Sequence, residues 1–161
     1  MDVDEFYMQE AIKEALLAQE KDEVPVGAII VYKDEIIARA HNQVEELNDA
    51  LAHAETLCIR QASKFLNNWR LLDATLYCTL EPCHMCAGAL ILSRINTIIW
   101  GAPDLRHGAG EGIYTHPIHQ PEVRGNVLAK ECGELLSNFF KKKREPRSGN
   151  FAANAAKNLR S

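Results

Sequence analysis

DATLYCTLEPCHMCAGALILSRINTIIWGA, residues 73–102, decides how the chain is folded. Residues 74–80, ATLYCTL, form a short apolar run rich in β-branched and aromatic side chains, which reads as a strand. Residues 83–93, CHMCAGALILS, are apolar on nearly every side and read as a buried helix; residues 95–102, INTIIWGA, read as a second strand. At the join between the first strand and the helix stands EPCHMC, residues 81–86, with two cysteines three positions apart and Pro82 where a first helical residue is expected.

The same periodicities extend outward. Residues 5–20 are expected to form an amphipathic helix with Phe6, Ile12, Ala15 and Leu16 facing the core. VPVGAIIVYKDEIIARA, residues 24–40, reads as a hairpin turning near Lys33-Asp34 without the usual Asn-Gly. AHAETLCIRQASKFL, residues 52–66, reads as a helix with Leu57, Cys58, Ala62, Phe65 and Leu66 on one face. Residues 103–125, rich in Gly, Pro and His, read as loop. Residues 128–144 read as a last helix carrying Leu128, Cys132, Leu135, Leu136 and Phe139 along one side, with only one of Phe139 and Phe140 buried. Strands alternating with helices imply an α/β fold, an α/β/α sandwich around one sheet.

At 161 residues the chain is the size of one domain, taken as 1–144, followed by a basic, flexible tail at 145–161. Hydrophobic and charged fractions of 47% and 25% are those of a globular protein. There is no apolar run of the roughly 18 residues that a membrane span needs. The acidic N-terminus without an apolar signal core predicts a cytoplasmic protein. Five cysteines are an odd number for a disulfide framework, and metal binding is the better reading of a close pair. The overall charge of −4 is uneven. Lys141–Ser161 hold seven Lys or Arg against Glu145, a net +6, leaving −10 on residues 1–140. A basic end on an acidic body reads either as a nucleic-acid contact or as a solubilising tail.

Cys58, Cys78 and Cys132 each stand singly inside an apolar pattern and are expected to be core residues. Cys83 and Cys86 therefore need partners from elsewhere. They are found in AHAE, residues 52–55, where His53 and Glu55 flank one alanine at the start of a predicted helix. One His and two Cys make three protein ligands and leave a fourth position open, the arrangement of a catalytic zinc site. Glu55 beside such a metal is placed to act as a general base. A thiol–disulfide pair has the same strand–Cys-x-x-Cys–helix layout and remains the other reading, as does a zinc-stabilised RNA-binding module.

His-x-Glu followed by Pro-Cys-x-x-Cys is the signature of zinc-dependent nucleobase deaminases. DEVPVGAIIV, AHAE, DATLYCTLEPCHMCAGALILSRI, WGAPD and LLSNFFKKKR together resemble, in order, the bacterial tRNA-specific adenosine deaminases, from about Phe6 to Arg144. The resemblance implies a cytidine-deaminase-like three-layer α/β/α sandwich with a mixed five-stranded sheet, one Zn2+ per subunit and a homodimer. It implies hydrolysis of the wobble adenosine, position 34 of a tRNA anticodon loop, to inosine; deamination of a free nucleobase such as guanine or cytosine is the alternative. By the same resemblance His53, Cys83 and Cys86 would bind the metal, Glu55 would shuttle protons, and Asn42 and Val26 would contact the base. A turn-forming asparagine and a core valine are the plain readings of those last two. Asp49-Ala50-Leu51 replaces the family's Asp-Pro-Thr before Ala-His-Ala-Glu; Arg106-His107-Gly108-Ala109 is near the family's pattern, but the stretch through Pro121 is shorter and richer in His. His107, His116 and His119 read as exposed loop histidines rather than a second metal site.

Overall fold

The computed structural model describes residues 2–145. In chain order the elements are α1 (Val3–Glu20), β1 (Gly27–Tyr32), β2 (Glu35–His41), α2 (Val44–Leu47), α3 (Ala54–Leu66), β3 (Ala74–Leu80), α4 (His84–Leu92), β4 (Thr97–Ala102), a 3-10 turn (Gly112–Thr115), β5 (Glu122–Arg124) and α5 (Ala129–Arg144). One mixed five-stranded sheet runs β2-β1-β3-β4-β5. β1 is antiparallel to β2 and β3, whereas β3, β4 and β5 are parallel. The β3–α4–β4 unit is the stretch from which the fold was read.

Strands β1, β3 and β4 separate two cores by alternation. Ala28 and Ile30 of β1, Leu76 and Cys78 of β3 and Ile98 of β4 pack with Cys58 and Ala62 of α3 and Leu90 of α4. Ile29 and Val31, Tyr77 and Ile99 point the other way, onto Met8 and Ala11 of α1 and Cys132 of α5. Strands buried on both faces are apolar throughout, which is why β1, β3 and β4 read as continuous apolar runs.

Several expectations are corrected. The buried stripe of α1 is Met8, Ala11, Ala15 and Ala18, while Phe6 and Leu16 are exposed. The reason is close approach: a Cβ at Gly27 would lie 2.1 Å from the Ala11 carbonyl oxygen and 2.4 Å from the Ala15 nitrogen, so only small residues fit that seam. On α3, Phe65 is exposed, and the buried positions are Ala54, Glu55, Cys58 and Ala62. The loop after β4 contains the 3-10 turn and β5, a three-residue edge strand too short to show alternation. Pro82 lies before the helix rather than within it, because Cys83 is the N-cap of α4.

Other readings agree with the structure. The hairpin turns at Lys33-Asp34, both left-handed with φ of 50° and 63°, the geometry that Asn-Gly usually supplies. Cys58, Cys78 and Cys132 are buried. On α5, Phe139 is 9% exposed and Phe140 44%. The basic run Lys141–Arg144 forms the last turn of α5; beyond Glu145 the tail lies outside the described residues.

Candidate metal centre and active site

The site forms where the parallel strands end, the edge at which open α/β sheets bind ligands. β3 runs into Glu81-Pro82 and then Cys83, which caps α4 in an extended conformation (φ −73°, ψ 174°). His53 caps α3 in nearly the same conformation (φ −75°, ψ 156°), its turn fixed by the Thr56 hydroxyl donating to the Leu51 and His53 carbonyls. Neither cap side chain bonds its own helix. Both turn toward each other instead, so two helix N-termini, with their partial positive charge, converge on one point.

His53 Nδ1 lies 3.6 Å from Cys83 Sγ and 3.4 Å from Cys86 Sγ, and the three ligand atoms all fall within 4.8 Å of one another. A tetrahedral ion with Zn–S of ~2.3 Å and Zn–N of ~2.0–2.1 Å would hold N and S about 3.5 Å apart. The donor set therefore fits zinc in both chemistry and spacing. Among the described residues no other group of three His, Cys, Asp or Glu converges in this way. His119 is occupied with the Ile95 carbonyl at 2.6 Å, His116 accepts from the Ile118 N–H, and His107 stands exposed at the pocket.

Hydrogen bonds from Cys86 and His53 pull the Cys83 thiol down to about 3, so it is a thiolate at neutral pH. The neighbouring Cys83 and then burial push Cys86 up. The hydrogen bond to Cys83 raises His53 against the opposing effect of burial. Glu55, in the first turn of α3, is 4% exposed, and burial raises its carboxyl above the ordinary range.

These groups face a pocket of about 750 Å³ lined by His53, Glu55 and Cys83, with Cys86 buried behind. Val26 and Asn42 line the same pocket, brought there because β1 starts beside the end of β3, where the Gly27 N–H donates to Thr79 Oγ1 at 3.1 Å. Asn42 has partners already: its Nδ2 donates to the Val24 carbonyl and its Oδ1 accepts from the Val44 N–H, both at 3.3 Å. That leaves one amide proton and one lone pair for a ligand. The end of α5 reaches the rim through Phe139, Phe140 and Lys143, whose ammonium pairs with Asp22 on the opposite side.

Sequence reasoning did not single out Glu23, Glu81 or Asp104, which also line the pocket. For Glu81 a signal existed, since it directly precedes the Pro-Cys pair. For Glu23 there was none, because its partners are backbone groups more than twenty residues away.

A family model described as the cytidine and deoxycytidylate deaminase zinc-binding region matches residues 1–102. The chain is 49% identical over 165 aligned residues to the tRNA-specific adenosine deaminase of Bacillus subtilis (strain 168), covering 99% of each. It is 47% identical over 159 residues to the chloroplastic tRNA(adenine(34)) deaminase of Arabidopsis thaliana, covering 86% of this chain and spanning only 12% of that longer protein. A solved structure from work on A-to-I editing by tRNA:A34 deaminases at the wobble position of transfer RNA matches with a TM-score of 0.78 at 43% identity, over 81% of this chain and 99% of that one. The chain belongs to the zinc-binding cytidine and deoxycytidylate deaminase family and, within it, to the tRNA-specific adenosine deaminases.

Proposed function

We propose that the protein hydrolyses the wobble adenosine of a tRNA anticodon loop to inosine, releasing ammonia. The observation that carries this reading is the convergence of His53, Cys83 and Cys86 on one point of a pocket that also holds the buried carboxyl of Glu55. A structural zinc site has no use for that carboxyl, and neither does a thiol–disulfide pair.

His53, Cys83 and Cys86 would hold the ion, which when bound would supply a water made nucleophilic near neutral pH. Glu55 accepts the proton of the attacking water, passes it to adenine N1, and assists protonation of the leaving amine. The C6–N bond breaks, ammonia departs and a C6 carbonyl remains. Val26 forms part of the apolar wall beside the base, and the free donor and acceptor of Asn42 meet the purine edge. An anticodon loop suits a pocket of this kind, since its bases are already partly unstacked and extruding one costs little. The basic last turn of α5, Lys141–Arg144, lies beside the rim and meets the phosphate backbone. The enzyme works in the cytoplasm as a homodimer. Domain boundaries follow the same reading, with catalysis in 1–144 and the tail at 145–161 outside the catalytic unit.

The test uses zinc-loaded protein and an anticodon stem-loop carrying adenosine at position 34, beside free adenine, guanine, cytosine and cytidine. Inosine from the stem-loop alone is the expected result. Ammonia from a free base alone would overturn the RNA substrate and keep the hydrolytic chemistry.

A further inference from the structure

Two carboxylates in the pocket take no part in the chemistry described above, and each holds a different wall. Glu23 is 1% exposed, and its two oxygens accept from the backbone N–H groups of Glu45 (3.0 Å) and Glu46 (2.7 Å) at the start of α2. Each carboxylate oxygen takes one of these N–H groups, so both donors are met by a side chain that brings no donor of its own when ionised. The segment fixed in this way begins with Asn42. The Asn42 N–H donates to the Val26 carbonyl at 3.0 Å, its Nδ2 reaches Val24, and the Gln43 N–H reaches the Ala52 carbonyl at 3.0 Å, next to His53. Glu23 thus anchors the turn that directly follows Asn42, between that amide and His53.

Glu81 repeats the device on the other side. Its oxygens accept from the N–H groups of Asp104 (3.1 Å) and Gly110 (3.2 Å), closing the loop after β4 against the pocket. Gly108 lies under this clamp: a Cβ there would meet Glu81 Oε2 at 2.5 Å. The same loop is tied to the metal helix by the Ala109 N–H donating to the Pro82 carbonyl at 3.0 Å.

We infer that Glu23 and Glu81 are positioning residues for substrate binding, Glu23 acting through Asn42 and Glu81 through the loop 104–110. This rests on the deaminase reading of the pocket, but not on which nucleobase fills it. Glutamine at either position keeps the shape and loses one acceptor, setting an amide N–H against a backbone N–H. The chemical step, which runs through Glu55, is untouched.

The experiment measures kcat and KM for Glu23→Gln and Glu81→Gln on zinc-loaded protein, with zinc content and Tm recorded. The substrate is whichever one the wild type turns over, stem-loop or free base, so that a wrong substrate assignment shows in the wild type and not in the variants. A core variant, Ile99→Val, serves as a control for ordinary loss of stability. The expected result is a KM raised about tenfold in each variant, with kcat and zinc content held and the control unchanged. In an Asn42→Ala background, Glu23→Gln should add little further, because the two act in series. KM unchanged in both variants, KM effects no larger than in the control, or full additivity with Asn42→Ala would overturn the inference. If Glu23→Gln does not fold, Glu81→Gln decides the same question on the opposite wall.

Discussion

Glu55 and Cys86 are both buried beside the same metal position, yet substituting them should fail in different ways. Glu55 carries no hydrogen bond that holds α3 to the sheet, and in the proposed mechanism its carboxyl is the group on which proton transfer depends. Glu55→Gln is expected to fold, to bind zinc at one ion per chain, and to lose activity by about 10²–10⁴-fold, the usual contribution of a general base. Single-turnover assays beside elemental analysis check this, and retained turnover would remove Glu55 from the mechanism. Cys86, with no exposed surface, is one of the three proposed ligands. Cys86→Ser replaces a soft thiolate by a hydroxyl that remains protonated, so zinc content should fall well below one ion per chain and stability should fall with it. A Cys86→Ser protein with full zinc would contradict the ligand set.

At the scale of elements, the turn and the seam of the first hairpin make opposite predictions. Lys33 and Asp34 both occupy left-handed conformations, which cost ordinary residues roughly 1–2 kcal/mol each. Replacing them with Asn-Gly should stabilise the protein by about 1 kcal/mol, seen as a higher denaturation midpoint at an unchanged m-value. Gly27→Ala should cost about 3 kcal/mol, because its methyl meets the backbone of α1 and not a side chain that can turn away.

The same elements show how far the sequence could be read. Strands β1, β3 and β4 were legible because burial on both faces leaves an unbroken apolar run. The convergence of His53, Cys83 and Cys86 was legible because each half of the motif opens a helix. The α1 stripe was not, since the closeness of two backbones is carried by alanines and one glycine, residues with no hydrophobic signature. β5 was hidden by its length, and Phe65 misled because an apolar residue at helical spacing need not be covered. Glu23 and Glu81 act through backbone N–H groups, which no sequence pattern displays.

For the whole molecule, the proposed ion would join the N-caps of α3 and α4, so metal and fold should be coupled. Removing zinc with a chelator is expected to lower Tm by on the order of 10 °C, given the ~4 kcal/mol that a ligand supplies at 1,000 times its dissociation constant. Zinc should restore the lost stability, and magnesium, which prefers oxygen ligands, should not. The charge asymmetry gives a second test. Neutralising Lys141, Lys142 and Arg144 should weaken binding of an anticodon stem-loop and flatten its dependence on salt by up to three units of logarithmic slope. Deletion of this end should start after Phe140, since Phe139 is part of the core.

The three-residue edge strand has a consequence for handling the protein. β5 presents Glu122 and Arg124 on either side of Val123, and Arg124 is held by Asp4 from α1 and by Glu122 itself. A sheet edge that is brief and charged is a poor template for a second chain. Concentrated solutions should therefore resist fibril growth from this side, and Glu122→Val with Arg124→Thr should bring thioflavin-positive aggregation where the parent stays clear.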